Sequence, residues 1–93
     1  MKERILQSLQ GKATILEQYE DGTVFGVHFV QPSQSSHWPD GLHGYVLVDG
    51  DRVCGKDYDS GVKGVATMTS IKPETLAQYV AFHKRPGGSL DGR

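Results

Sequence analysis

His37 and His43 stand six residues apart on either side of the only tryptophan, Trp38, in QPSQSSHWPDGLHG, residues 31–44. His28 and Glu17 lie upstream. Imidazole is the side chain that trades a proton near neutral pH, and a neighbouring carboxylate orients the ring for general base work. The same side chains can ligate zinc. Zinc takes about four ligands at restricted spacings, however, and two histidines in an irregular loop have no fixed geometry. No G-x-S-x-G, no H-E-x-x-H and no phosphate-cradling glycine loop is present. We therefore expect no metal, no cofactor and no catalytic residue, and a binding site drawn from Glu17, Tyr19, His28, His37, Trp38 and His43.

The loop at 31–44 shows no periodicity over its fourteen residues, and connections this long usually bind something or move. Pro32 and Pro39 stiffen it, and Pro39-Asp40-Gly41 is a turn signal. Three roles are open to Trp38: capping the core, anchoring an interface, or lining a ligand pocket. Further on, Asp57, Asp59 and Gly61 echo the start of a calcium loop, but the closing glutamate is missing and turns use the same residues. The single cysteine, Cys54, allows no internal disulfide and reads as a small core residue within a strand.

These residues must be positioned by the elements around them. ATILEQYE and TVFGVHFV flank Asp21-Gly22, a pair suited to a tight hairpin turn. Closing the turn there sets Glu20 opposite Thr23, Gln18 opposite Phe25, Leu16 opposite Val27 and Thr14 opposite Phe29. One face then carries Leu16, Phe25, Val27 and Phe29 as a core face. The other carries Ile15, Glu17, Tyr19, Val24, His28 and Val30, with Glu17 and His28 as diagonal neighbours.

GYVLV and RVCGKDY make a second hairpin about the DGD at 49–51, and VATMTSI at 65–71 reads as a fifth strand. KERILQSL, residues 2–9, is a short helix stopped by Gly11. A C-terminal helix opens near Pro73, with Leu76, Tyr79, Val80 and His83 on one stripe, Ala77 and Ala81 widening it, and Pro86 ending it. Residues 87–93 read as a flexible tail.

The order of helix, five strands and helix predicts an α+β fold. It consists of a bent five-stranded antiparallel sheet or small open barrel, with a short N-terminal helix and a C-terminal helix, in one globular domain over 1–86. DGTVFG resembles the glycine-punctuated second strand of Sm-like barrels, over about six residues; the resemblance implies a bent-strand architecture and is an analogy of form.

Ten Lys and Arg against eleven Asp and Glu, in 93 residues, leave no basic stripe for a duplex, so nucleic acid is disfavoured. No run approaches the ~18 apolar residues of a membrane span, and the N-terminus lacks the apolar run of a signal peptide, so the expected compartment is the cytoplasm. The functional expectation is a non-catalytic binding or interaction module. It self-associates as a homodimer or binds another protein, and uses the 31–44 loop as its surface. The alternatives are a small-ligand-binding protein or enzyme with a His/Glu cleft under that loop, and a single-strand nucleic-acid binder stacking bases on Tyr19, Trp38 and Tyr58.

Overall fold

Two hairpins carry the fold, and each turns on a glycine in the same place. In the computed structural model, which describes residues 1–32, 41–58 and 74–92, β1 (Thr14–Asp21) and β2 (Val24–Gln31) are joined by Gly22-Thr23. Likewise β3 (Leu42–Asp49) and β4 (Arg52–Tyr58) are joined by Gly50-Asp51. Gly22 and Gly50 both have φ of 61°, the positive value that the first central position of a tight hairpin turn requires. Asp21 pairs with Val24 rather than lying in the turn, so the β1–β2 register is two residues from the one expected. A shift of two preserves which side each residue faces. Phe25, Val27 and Phe29 accordingly share one face of β2, and Val24 and His28 the other.

A bulge between Ile15 and Glu17 corrects the first half of β1. It sets Ile15 opposite Phe29, on the Phe face, and leaves Leu16, expected in the core, 47% exposed. An extra residue in one strand reverses the alternation beyond it, which periodicity alone does not reveal.

The four described strands form one open antiparallel sheet in the order β1-β2-β3-β4. The fifth strand expected at 65–71 lies outside the described residues. The ends of the 31–44 stretch belong to the sheet: Gln31 pairs with Leu42, and Val30 with His43.

Both faces of the sheet are covered, each by a different helix. α1 (Lys2–Leu9) packs Leu9, Ile5 and Leu6 against Phe25, Val27, Phe29, Val46 and Val48. α2 (Leu76–Lys84) packs Leu76, Tyr79 and Val80 against Val24, Tyr45 and Leu47 on the other face. The face that carries Glu17, Tyr19, Val24 and His28 is thus the seat of α2.

The buried residues of α2 are Leu76, Tyr79, Val80 and His83, the stripe read from the sequence, while Ala77 and Ala81 are exposed. The helix starts at Leu76 because Thr75 caps it, and Gln78 reaches back to the residue before the cap. Thr75 Oγ1 accepts from the Gln78 backbone N–H at 3.2 Å, and Gln78 Oε1 accepts from the Glu74 N–H at 2.8 Å. The segment expected as a flexible tail makes contact with the fold at Leu90. The Leu90 N–H donates to the His83 carbonyl at 2.8 Å, and the Leu90 side chain is fully buried in the α2-side core. A single apolar residue, not an apolar face, holds this segment down.

Candidate functional site

Three adjacent strands contribute one residue each to a hydrogen-bonded chain on the α2 side of the sheet. β1 supplies Glu17, β2 supplies His28 and β3 supplies His43. Glu17 and His28 are direct cross-strand partners, not diagonal neighbours. Tyr45 lies opposite His28, and His43 is two residues before it on the same face. Nδ1 of His28 lies 2.7 Å from Glu17 Oε2, and Nε2 of His28 lies 2.9 Å from Nδ1 of His43.

The carboxylate fixes the direction of this chain. Hydrogen bonding from His28, and secondarily from the Leu76 N–H, holds the Glu17 carboxyl below its usual value against a smaller opposing effect of burial. Glu17 is therefore an acceptor at neutral pH, and Nδ1 of His28 must carry the proton it receives. In a neutral His28, Nε2 is then an acceptor for the Nδ1–H of His43. That leaves Nε2 of His43 as the outermost nitrogen, presenting a lone pair.

His28 is 5% exposed and stacks on Tyr45, ring centroids 4.2 Å apart and planes 15° from parallel. Its position is fixed on both edges by hydrogen bonds and on one ring face by Tyr45. His43, only partly buried, is the exposed end of a rigid relay.

The same Glu17 Oε2 also accepts the Leu76 backbone N–H at 2.8 Å. This is one of the donors that a helix N-terminus leaves without an intrahelical partner. A single carboxylate oxygen thus joins the histidine chain to the seating of α2.

Tyr19 shares the face but not the chain. Its hydroxyl donates to Asp21 Oδ2 at 3.3 Å and accepts from Lys84 Nζ at 3.0 Å. His37 and Trp38 lie outside the described residues, as do Asp59 and Gly61. Among the described residues, no group of three His, Cys, Asp or Glu side chains is placed to hold a metal ion. No described serine or threonine hydroxyl hydrogen-bonds His28 or His43, and no described helix is long and apolar enough to cross a membrane.

A second polar cluster escaped the sequence reading. The Tyr79 hydroxyl donates to Asp57, and Nδ1 of His83 lies 2.7 Å from Ser89 Oγ. Burial, reinforced by the Asp57 carboxylate, raises the Tyr79 phenol far above its ordinary value. Burial lowers His83, with Asp57 opposing and Arg85 assisting. Tyr45 stacks on Tyr79 at 5.1 Å and Tyr79 meets His83 edge-on at 4.6 Å, so a ladder of rings runs from His28 to His83. The available signal was the stripe itself: a buried Tyr and His on one helix face require polar partners from whatever they pack on.

The chain matches no family model, no curated protein and no solved structure in any of the three comparisons.

Proposed function

We propose that this protein is a non-catalytic small-ligand-binding domain whose ligand is engaged by Nε2 of His43. The observation that carries this reading is the Glu17–His28–His43 chain. It spends two buried or half-buried groups on setting the tautomer and orientation of a third. A core histidine needs only its own hydrogen bonds satisfied; here the hydrogen bonds lead outward to a partly exposed ring. The ligand class is a small molecule with an oxygen-bound proton or an oxyanion, since Nε2 can accept a proton or, once protonated, donate one.

Ring ¹⁵N chemical shifts of the histidines, recorded while inorganic phosphate and then acetate are added, test this directly. The reading expects His43 Nε2 to move saturably with one of them, and the response to be lost in His28→Phe with the fold intact by amide spectrum. An Nε2 that neither probe moves, in a protein whose His28 Nδ1 carries a proton as described, overturns it.

The interaction-module reading stands second. It rests on the 31–44 loop with Trp38 at its centre and, in its homodimer form, on self-association. α2 packs on the face that carries Tyr19 and His28, so that face offers less apolar surface to a second copy. Tryptophan emission that reddens on dilution supports it; emission independent of concentration counts against it. The fifth strand at 65–71, and any closure of the sheet toward a barrel, belong with these proposals, and slow amide exchange over 65–71 is their test.

A further inference from the structure

α1 covers only part of the Phe face. Between it and the β3–β4 half of the sheet lies a cleft of about 190 Å³, lined by Ile5 and Leu9 of the helix and by Phe29, Val46 and Val53 of the sheet. One charged side chain enters this lining. Lys56 is the cross-strand partner of Val46, so the register sets it on the same face as the apolar residues. β4 is the outermost of the described strands, and a lysine at such a position also deters edge-to-edge pairing. That role does not account for a concave apolar surface beside that charge.

We propose that the cleft binds a small amphiphilic anion, with an apolar tail of roughly six carbons against Phe29 and Val46 and a carboxylate at Lys56. The size follows from volume: an apolar cavity of about 150 Å³ holds one benzene ring. The chemistry follows from the lining, because small-molecule sites are mostly apolar with a few polar groups that fix orientation. A second copy of the chain fits less well. The large apolar residues exposed among those described are Val53 at the cleft and Leu16 on β1, at the far side of the described strands, so they form no shared patch. A stable dimer buries about 800 Å² per partner. The cleft lies on the face opposite His43, so this inference is independent of the proposed relay site.

Methyl and amide NMR spectra of the intact chain, titrated with hexanoate, butanoate and hexanol, provide the test. Hexanoate shifts Ile5, Val46 and Val53 signals saturably, and butanoate binds about tenfold more weakly for its two missing methylenes. Lys56→Met weakens hexanoate about threefold and leaves hexanol unchanged, as expected for a solvent-exposed ion pair. Val53→Phe, at a half-exposed position, narrows the mouth and weakens both. Butanoate binding as tightly as hexanoate overturns the proposal, because the contact is then ionic and superficial. So does the absence of saturable shifts with either six-carbon probe. Shifts of the same methyls with protein concentration alone give the cleft to a second copy.

Discussion

Nδ1 of His28 and the Leu76 backbone N–H converge on one oxygen of Glu17, from 2.7 and 2.8 Å. A β-strand carboxylate thereby ties a buried histidine to the first turn of a helix 59 residues later in the chain. Because Glu17 is lowered in the folded state, its contribution is present above its unfolded value near 4.5 and is lost as pH falls below it. Glu17→Gln is expected to cost about 1 kcal/mol at pH 7, less than a buried charged hydrogen bond because the side chain is 39% exposed. It also flattens the acid limb below pH 4.5. Urea midpoints for both proteins at pH 7 and pH 3.5 check this; an equal difference at the two pH values refutes the linkage.

Gly55 is where the second cluster leaves no room. A Cβ there would lie 2.5 Å from the Tyr79 hydroxyl and 2.6 Å from Nε2 of His83. Both rings are buried and held by neighbours, so neither yields cheaply. Gly55→Ala is expected to cost about 2–3 kcal/mol, at the upper end for overpacking. Gly22→Ala, with nothing within 4 Å but φ of 61°, costs about 1 kcal/mol from backbone strain alone. Thermal unfolding of the pair separates crowding from conformation, and a Gly55→Ala protein as stable as Gly22→Ala contradicts the packing described.

The sequence made the α2 stripe and the alternation of β2 legible, because period 3.6 and period 2 were each uninterrupted there. It hid the bulge at Ile15–Glu17, since one inserted residue changes no composition and leaves a plausible alternation on either side. It also hid which helix lies on which face. Both faces of the β2–β3 pair are apolar enough to attract a helix, and nothing local says which arrives. Glu17 and His28 could be named because a hairpin brings them together over a short loop. His43 could be grouped with them as a loop residue, but its place on β3 beside His28 could not be seen, because the start of that strand reads as loop. Asp57 and Ser89 meet Tyr79 and His83 only through packing between distant segments, and so had no sequence signature.

Leu90 tests whether the C-terminal segment is structural. Its side chain is fully buried and its N–H closes onto the His83 carbonyl at 2.8 Å. Arg52 also donates to the Ser89 carbonyl at 3.0 Å, tying the segment to β4. Leu90→Ala is expected to lose about 2–4 kcal/mol, as other buried leucines do. A loose tail would lose nothing, so the urea midpoint of this one variant decides between the two.

His83 is 8% exposed, with Nδ1 on Ser89 Oγ and Nε2 without a hydrogen-bond partner among the described residues. Burial lowers its pKa in the folded state, so the unfolded chain takes up a proton first as pH falls through about 6.5. Stability supplied by the neutral ring is complete above that value and declines below it until the folded form also protonates. His83→Phe keeps the ring between Tyr79 and Phe82 and removes the titration. The variant should therefore lose less stability than the parent between pH 7.5 and 5.5, whatever its stability at pH 7.5. The difference between the two slopes isolates His83 from His28 and His43, which are present in both proteins. Parallel slopes would show that His83 is protonated as readily in the fold as in the open chain, contrary to the burial seen around it.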